Sequence, residues 1–275
     1  MGKLVDGDDG LPAEEVGVWT KEKHELLCNY VHISSATRKK YLPPNNRGGA
    51  AYVDLFCGTG RCQVEGTGEW IDGSPVAAWK RSVECGTPFT RVVLADADET
   101  RLRACEERLR RLGAPVVATI GLAKDTALWA RQRTPAHGLN FAFLDPYSLE
   151  ALDYEAVKEL AKVKRMDMLV HVSTMDLQRN LSRNLTAEDS AFDAFAPGWR
   201  DVLQVRSQAR TREDLLNYWR ELVSQTGIWT SEDVRLIQGS RGQRLYWLLL
   251  AAGHDLAHRF WKSVVPKNGQ QSLDL

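Results

Sequence analysis

The sequence lacks a net charge, a long apolar run and any spacing of cysteine and histidine typical of a metal site. Its 275 residues include 36 basic and 36 acidic side chains. Proteins that grip long nucleic acids usually carry a basic excess, because phosphate contacts dominate their affinity, so duplex binding is not expected. No apolar run reaches about 18 residues, and a membrane span is therefore not expected either.

Cysteine is scarce, odd in number and scattered. The five cysteines stand at positions 28, 57, 62, 85 and 105. This scatter suits a reducing cytoplasm better than a disulfide framework. The acidic, glycine-rich residues 1–15 also lack the apolar core of a secretory signal. These absences predict a cytoplasmic protein.

The length and a hydrophobic fraction of 43% allow one large domain with a sizeable core. We interpret residues 1–17 as a flexible lead and residues 18–275 as a single domain. Residues 18–49 predict a helical extension at the start of that domain, before a proline- and glycine-containing loop.

Thr20 is the candidate N-cap of the first helix, and Lys23 and His24 lie in its first turn. The apolar side chains of this helix recur on roughly one face, which indicates packing against a core. Two interpretations of Lys23 and His24 stay open, namely a solvated helix face and a contact with a pocket.

The most informative stretch extends from Ala51 to Arg61. It begins as an apolar, β-prone run that contains Asp54, and it ends in the glycine turn Phe56-Cys57-Gly58-Thr59-Gly60. Buried parallel strands have such runs, and glycines let a chain turn sharply beside a ligand. A dinucleotide fingerprint would need a third glycine at position 63, where glutamine stands. The stretch resembles instead the first motif of class I S-adenosylmethionine (SAM) methyltransferases, in which this turn backs the amino acid end of SAM.

An insertion separates the glycine turn from the helix that should follow it. Residues 61–75 are rich in Gly, Glu and Thr and end in Gly73-Ser74-Pro75, where Ser74 is a candidate helix cap. An insertion at the carboxyl end of a sheet overlies the ligand site. We therefore expect this one to form part of the pocket wall on the substrate side.

The second strand, Arg91 to Asp96, ends in an acid that can accept hydrogen bonds from both hydroxyls of a ribose. Asp98 is a competitor, and capping of the next helix is the alternative role of either acid. We assign the ribose to Asp96, beside Ala97, and the helix cap to Asp98.

A third strand over residues 115–120 places an adenine pocket near residues 121–125. Lys124 or Asp125 would flank the base there. The start of an ordinary helix is the alternative interpretation of these two residues.

A second informative stretch ends in Leu144-Asp145-Pro146-Tyr147. A carboxylate at the end of a central strand, a proline that stiffens the exit and an aromatic ring are an arrangement typical of a site. The stretch resembles the Asp-Pro-Pro-Tyr motif of methyltransferases that modify amino groups, with one proline missing. In those enzymes the polar side chain and a backbone carbonyl hold the target nitrogen, and the ring stacks on a planar substrate. A strand terminus followed by a turn is the alternative.

The last third of the chain predicts a polar excursion and then a hairpin. Residues 175–200 are the excursion, a candidate substrate wall in which Arg179 would bind an anionic group, with an ordinary surface arginine as the alternative. Strands over residues 234–238 and 245–252, joined by a tight glycine-containing turn, predict an antiparallel hairpin. The fold class is therefore α/β, with a doubly wound, mostly parallel sheet of seven strands, an N-terminal helical extension and a C-terminal antiparallel hairpin.

In combination, these motifs resemble the three-Cys-motif partner protein family over most of the chain. The residues that carry the resemblance are Thr20-x-x-Lys23-His24, Tyr52 to Arg61, Gly73-Ser74-Pro75, Leu144 to Tyr147, Arg179-Asn180-Leu181 and Leu245 to Leu249. The resemblance implies a class I SAM-binding fold and a radical-SAM-like protein as a possible partner. Two positions depart from the family, since Cys57 stands where alanine is more common and Ser148 where glycine is usual.

SAM-dependent methyl transfer is the function that these observations predict, with the chain as an enzyme and SAM as its cofactor. The expected cofactor-binding residues are Asp54, Phe56, Cys57, Gly58, Gly60, Asp96, Ala97, Lys124, Asp125 and Asp145. Asp145 and Tyr147 would orient the acceptor, and Asp145 or His24 would take its proton. The expected substrate-binding residues are Lys23, Ser74, Tyr147, Arg179 and Asn180. The acceptor would be small, planar and anionic, such as a nucleoside, a nucleotide or an RNA end.

Two rival functions stay open. One is a non-catalytic SAM-binding or scaffolding partner of a radical-SAM-like protein, against which an intact Asp96 and Asp145 argue. The other is a nucleotide-dependent oxidoreductase, against which the missing third glycine argues.

Overall fold

The structure, a computed structural model, describes residues 2–45, 48–204 and 207–266. The strands are β1 Leu4–Asp6, β2 Pro12–Val16, β3 Ala50–Asp54, β4 Arg61–Val64, β5 Trp70–Asp72, β6 Arg91–Asp96, β7 Val116–Ile120, β8 Leu139–Leu144, β9 Met166–Ser173, β10 Trp229–Gln238 and β11 Arg244–Ala252. The helices are α1 Thr20–Ile33, α2 Ser35–Lys39, α3 Ser74–Glu84, α4 Glu99–Arg111, α5 Ala123–Arg133, α6 Tyr154–Ala161, α7 Thr174–Arg179, α8 Leu181–Thr186, α9 Ala191–Phe195, α10 Trp199–Val202, α11 Gln208–Ser224 and α12 Asp255–Val264. Within these ranges, none of the helices combines the length and the apolarity that a membrane crossing requires.

Seven strands form the main sheet, in the order β10-β11-β9-β8-β3-β6-β7. The five strands from β9 to β7 run parallel, whereas β11 pairs antiparallel with β9 and β10 antiparallel with β11. The chain builds outwards from β3 through β6 to β7 and then crosses back to β8 on the other side of β3. Ligands of doubly wound sheets bind at such a switch point, outside the carboxyl ends of the strands. The predicted fold class, including its closing antiparallel hairpin, is confirmed.

Apolar side chains cover both faces of this sheet. On one face, Val53 and Ala142 pack with residues of α5, α6 and α11, including Trp219. On the other face, Tyr52 and Phe143 pack with residues of α1, α3, α4 and α12. Because successive side chains of a strand point to opposite faces, burial on both faces explains why β3 reads as a continuous apolar run.

We expected residues 1–17 to be a flexible lead, but residues 2–17, the part that the structure describes, contain two paired strands. Their strands β1 and β2 pair antiparallel, β2 pairs parallel with β4, and β4 pairs antiparallel with β5. The insertion after the glycine turn thus becomes a hairpin in a second sheet, with the order β1-β2-β4-β5. The prediction was wrong because the partners of β2 lie far away in the sequence.

Ion pairs hold this second sheet against the rest of the domain. Asp9 binds Arg108 at 2.6 Å, 99 residues further along the chain, and Glu14 forms a buried ion pair with Arg101. The acidic side chains near the start of the chain therefore pair with distant arginines instead of facing solvent. From the sequence alone these basic partners cannot be located, and for that reason the acidic segment was predicted to be flexible.

Residues 175–200 form short helices, α7 to α10, instead of a polar excursion. Phe192, Phe195 and Trp199 are buried in the apolar core on the α11 side of the sheet. The apolar side chains of this segment anchor it, so its polar residues turn outwards. The expected long substrate wall is therefore a packed helical layer.

The first helix starts one position away from the expected cap. Trp19 is the N-cap of α1 and makes no side-chain cap hydrogen bond, while Thr20 is the first helical residue and is buried. The extension nevertheless packs on the sheet, since Leu27 and Tyr30 of α1 are fully buried there.

Candidate functional site

A cavity of about 610 Å³ lies at the carboxyl ends of the parallel strands. Its wall includes the turns that follow β3, β6, β7 and β8, together with the first turn of α1 and part of β2. This volume falls within the range of about 300–1,000 Å³ that is usual for small-molecule sites. The cavity therefore stands at the switch point of the sheet, where a ligand is expected.

The glycine turn forms the floor of the cavity beside β3. Phe56, Cys57, Gly58 and Gly60 line the cavity. Gly58 has a φ of 56°, and a Cβ atom there would lie 2.3 Å from an Oε atom of Glu14. A side chain at this position would be both strained and obstructed, so glycine is required.

Asp54 supports this turn through hydrogen bonds and is not among the residues that line the cavity. Its carboxylate accepts hydrogen bonds from the Phe56 amide at 3.0 Å and from the hydroxyls of Tyr52 and Ser74 at 2.9 Å. Burial raises the pKa of Asp54 to about 7, against the effect of these hydrogen bonds. The structure thus gives Asp54 a supporting position instead of the direct cofactor contact that we expected.

Ser74 lines the cavity, but its hydroxyl is committed to Asp54. The residue that caps α3 is Gly73, and Ser74 is the first residue of the helix. The insertion does contribute to the wall, because Cys62 of β4 also borders the cavity.

Asp96 faces the cavity at the end of β6. Its carboxylate accepts hydrogen bonds from the amides of Gly58 and Asp98, both at 2.9 Å, and the residue is 8% exposed. Burial raises the pKa of Asp96, and the amide hydrogen bonds oppose that rise. Each carboxylate oxygen keeps a lone pair for a further donor.

Asp98 caps the next helix, since its side chain accepts a hydrogen bond from the Arg101 amide at 3.1 Å. Asp98 is not among the cavity-lining residues, whereas Ala97 is. The geometry therefore separates the two acids in the way that the sequence suggested.

The turn after β7 supplies the third part of the wall. Gly121, Leu122, Ala123 and Lys124 line the cavity, but Asp125 does not. Asp125 lies in the first turn of α5, so the alternative of an ordinary helix start holds for this residue.

Asp145 anchors a group of four polar side chains, which we name the acceptor-side cluster. Its members are Lys23 and Tyr246, which are buried, and Asp145 and His171, which are partly buried. Lys23 forms an ion pair with Oδ2 of Asp145, and Nδ1 of His171 lies 2.7 Å from Oδ1. The ring of Tyr246 lies 3.9 Å from the ring of His171, and Nζ of Lys23 lies 5.5 Å from the centroid of the Tyr246 ring. All four residues border the cavity.

Charges within this cluster set its protonation. Burial acts to raise the pKa of Asp145, but the positive charge of Lys23 and the His171 hydrogen bond hold it well below its usual value. Burial likewise acts to lower the pKa of Lys23, and the charge of Asp145 overcomes this and raises it. Burial lowers the pKa of His171, with Asp145 opposing. Near neutral pH the cluster therefore holds a carboxylate, an ammonium group and a neutral imidazole.

His24 also lines the cavity, next to Lys23. Burial, followed by the charge of Lys23, lowers the pKa of His24 to about 4. Within the described part of the chain its Nδ1 atom has no hydrogen-bond partner. Lys23 and His24 thus contact the pocket, and the solvated-face interpretation is wrong for both.

Tyr147 stands at the mouth of the cavity with 54% of its surface exposed. Arg179 and Asn180, by contrast, are not among the cavity-lining residues; Arg179 is exposed at the end of α7. They were expected to bind substrate, but the burial of Leu177 and Leu181 in the core points this helix pair away. Of the segment 175–200, Ala194 alone is a lining residue.

Several lining residues were missed from the sequence, notably Glu14, Arg101, His171 and Tyr246. Glu14 accepts a hydrogen bond from the Thr59 amide at 3.1 Å and so ties β2 to the glycine turn. His171 did carry a signal, because it is an ionisable residue near the carboxyl end of a buried strand. Glu14 and Tyr246 carried none, since their roles depend on contacts with distant parts of the chain.

No protein-family model matches the sequence, and no curated protein matches it either. Solved structures are similar in fold. A protein of the DUF519 family from Legionella pneumophila is 11% identical, covers 83% of this chain and 85% of its own, and has a TM-score of 0.49. The O-methyltransferase TomG from Streptomyces achromogenes, in complex with SAM, is 13% identical, covers 84% and 79%, and has a TM-score of 0.48. An O-methyltransferase from Bacillus cereus, in complex with S-adenosylhomocysteine (SAH), is 12% identical, covers 84% and 80%, and has a TM-score of 0.47. Similarity at this level does not assign a family, a ligand or an activity.

Proposed function

We propose that this protein is a SAM-dependent methyltransferase that acts on a small, planar, anionic acceptor such as a nucleoside, a nucleotide or an RNA end. One observation carries the proposal. The carboxylate of Asp96 faces the cavity beside the glycine turn, oriented by two backbone amides, at the switch point of the sheet. This is the position and chemistry that a ribose with two free hydroxyls requires.

The residues present fit SAM in size and in chemistry. The cavity of about 610 Å³ is open enough for a nucleoside with an amino acid arm. Asp96 would hold the ribose hydroxyls, and Leu122 to Lys124 would flank the adenine. Phe56 and the two glycines of the turn would lie against the methionine end, where the missing side chains allow a close approach.

The acceptor would occupy the end of the cavity near Asp145. Tyr147 is exposed at the mouth and offers a face on which a planar ring can stack. Lys23 supplies a positive charge on the same side, which favours an anionic acceptor. A small molecule is favoured over a polymer by the neutral net charge.

The residues of the site would accelerate methyl transfer mainly by positioning the acceptor and SAM relative to each other. When bound, SAM supplies a methyl group on a positively charged sulfur, which is already activated for displacement. The chain must then align the acceptor atom with that methyl group, exclude water and remove one proton. Asp145 is a weak base for that proton, because Lys23 and His171 hold its pKa low. His24, with a pKa of about 4, is also weak.

The resemblance to the three-Cys-motif partner family supports a radical-SAM-like protein as a partner, and the scattered cysteines support a cytoplasmic setting. A non-catalytic role beside such a partner is the second candidate. Lys23, Asp145 and His171 argue for turnover, since a scaffold has no need of a buried ionised cluster facing its cavity.

Titration calorimetry with SAH tests the cofactor. The wild type should bind SAH, and Asp96→Asn should bind it about 10- to 100-fold more weakly, because a charged hydrogen-bond acceptor of the ribose is lost. Asp98→Asn is the matched control, since asparagine also caps helices and Asp98 does not face the cavity. Its SAH affinity should stay within about threefold of the wild type.

Absence of any heat with the wild type at millimolar SAH would sink the methyltransferase proposal. Equal loss of affinity in both variants would also count against it, because the effect would then be one of general structure. If SAH binds but a broad panel of acceptors yields no product, the scaffolding role becomes the better account.

A further inference from the structure

The acceptor-side cluster assembles from four separate elements: α1, the turn after β8, β9 and β11. Both carboxylate oxygens of Asp145 are engaged, Oδ2 by Lys23 and Oδ1 by His171. Each oxygen of Asp145 keeps a lone pair, but the positive charge of Lys23 already compensates the carboxylate. In this respect the arrangement differs from the amine-binding motif that its sequence resembles.

His171 is the group that this arrangement prepares for proton transfer. A carboxylate accepts hydrogen bonds and does not donate them, so Nδ1 of His171 carries the proton that bridges to Oδ1 of Asp145. In the neutral imidazole, Nε2 is then the unprotonated, basic nitrogen. Nε2 forms no hydrogen bond with any described residue. It is also not one of the unpaired polar atoms that the protein encloses completely, so part of its surface is accessible. His171 thus presents a free lone pair at the cavity wall.

Tyr246 provides the second observation. The residue is 5% exposed and borders the cavity, and within the described residues its hydroxyl has no hydrogen-bond partner. Buried hydroxyls are normally hydrogen-bonded, so this one is a polar group that the described chain alone does not satisfy. The ring of Tyr246 contacts the imidazole of His171, and both residues border the cavity.

We propose that His171 is the general base of the reaction, that Asp145 is its positioning residue, and that the acceptor group is an acidic hydroxyl on a planar ring. This inference rests on the proposed methyl transfer and narrows its substrate. The hydroxyl oxygen lies at Nε2 of His171, beside the ring of Tyr246. Lys23 compensates the negative charge that develops on the oxygen. An amine that is protonated near neutral pH has no lone pair with which to attack the methyl carbon.

The proton and the electron pairs balance in a single step. Nε2 of His171 takes the hydroxyl proton, and the oxygen forms a bond to the methyl carbon. The bond from that carbon to sulfur breaks, and its electron pair stays on sulfur to give neutral SAH. The imidazolium, stabilised by Asp145, then loses its proton to water at the cavity mouth. SAM is the only co-reactant that this step requires.

The groups that face His171 agree with this role. Lys23 and His24 approach from α1, Asp145 from the turn after β8, Asp176 from α7 and Tyr246 from β11. Burial, together with the charge of Lys23, keeps the pKa of His171 below the ordinary histidine value, while Asp145 and Asp176 oppose this. The imidazole is therefore in its basic form near neutral pH.

Nitrogen NMR of the full chain, labelled at histidine and without any substrate, tests the base directly. His171→Gln identifies the signal. The expected spectrum is a neutral imidazole with its proton on Nδ1 at pH 7.5, and a pKa that falls further in Asp145→Asn because the nearby negative charge is lost. A protonated ring at that pH, or a proton on Nε2, would overturn the proposal. If Asp145 contributed only to the stability of the fold, Asp145→Asn would leave the pKa of His171 unchanged.

Turnover with matched planar probes tests the substrate class. The probes are pairs such as 8-hydroxyquinoline and 8-aminoquinoline, which differ in one acceptor group. Methylation of the hydroxyl probe, with a kcat about 10²- to 10⁴-fold lower in His171→Gln and an unchanged SAH affinity, is the expected result. The exposed His137→Gln is the control variant.

Two failures can be told apart. If SAH does not bind the wild type, the methyltransferase proposal itself fails. If SAH binds and the amino probes are methylated as well as or better than the hydroxyl probes, or if His171→Gln retains full turnover, then the hydroxyl inference fails and the cofactor proposal stands.

Discussion

Asp96 and Asp145 both stand where parallel strands end, on either side of the glycine turn, yet the structure holds them in opposite ways. Two neutral backbone amides orient Asp96, and burial still raises its pKa. A lysine and a histidine hold Asp145, and its pKa falls well below the usual value. Asp96 is therefore oriented and available to bind a ligand. The charge of Asp145 is compensated by Lys23, and its carboxylate holds Lys23 and His171 in place.

This difference divides the cavity into two kinds of site. On the cofactor side, uncharged backbone amides orient Asp96, and one of them belongs to the glycine turn, 38 residues earlier in the chain. On the acceptor side, side chains from four elements hold one another, so each depends on the others. Loss of one group should therefore cost more on the acceptor side than on the cofactor side.

Lys23→Met should cause the largest loss of unfolding free energy, because it removes an ion-pair partner from the acceptor-side cluster. Removing one partner leaves the charge of Asp145 buried with His171 as its remaining partner, and breaking a buried pair costs about 3–5 kcal/mol of unfolding free energy. Lys21→Met is the control, because its pair with Glu69 is exposed and contributes about 0–1 kcal/mol. Urea unfolding measures both variants. Similar losses for the two lysines would remove the contrast between a buried cluster and a surface pair.

Gly58→Ala should cost less unfolding free energy than Lys23→Met, and it perturbs the cofactor side of the cavity. The new Cβ atom meets a left-handed backbone and an Oε atom of Glu14 at 2.3 Å, so it displaces the Glu14 carboxylate from Thr59 and Arg101. The expected loss is about 2–3 kcal/mol. Gly66→Ala is matched, with a φ of 78° and no atom within 4 Å, and should lose about 1–2 kcal/mol. Thermal unfolding measures both, and an equal loss would show that Glu14 simply moves aside.

The last effect is gradual: it concerns the pH dependence of stability and sharpens the contrast between Asp145 and Asp54. A carboxyl group whose folded pKa is raised binds its proton more tightly in the folded state. Stability then falls as pH rises from the unfolded pKa, about 4, to the folded pKa. Asp54, with a pKa of about 7, should contribute such a fall between pH 4 and pH 7. For Asp145 the sign is reversed, because its folded pKa is depressed: its contribution is complete above pH 4 and is lost below it.

Asp54→Asn tests this sign. Its stability relative to the wild type should increase with pH over that window, by at most about 1.4 kcal/mol per pH unit. The comparison must be between the two proteins, since Asp167 titrates in the same direction near pH 7 and His24 in the opposite direction near pH 4. A constant difference for Asp54→Asn would contradict the raised pKa.

Local chemistry explains which parts of the site were predictable. The glycine turn itself and the capping role of Asp98 depend on residues within a few positions of one another. Backbone conformation and capping act at that range, so spacing reports them. The same holds for the hairpin of β10 and β11, whose strands are joined by a tight turn.

The failures have the opposite character. Arg179 and Asn180 were expected to bind substrate, but core packing of Leu177 and Leu181 directs them away. Residues 1–17 were expected to be flexible, but Arg101 and Arg108 order them from far along the chain. No pattern within either segment encodes these partners.

The sequence by itself therefore determined the parallel sheet, the glycine turn and the acids at the strand ends, because hydrophobic periodicity and turn chemistry are local. Only the tertiary structure decided what each acid does. Strand order brings His171 and Tyr246 to Asp145, and α1 brings Lys23. Burial then makes their charges interdependent, since Coulomb interactions strengthen where water is excluded. Whether a strand-end aspartate serves a ligand or a base thus depends on which distant side chains the fold places beside it.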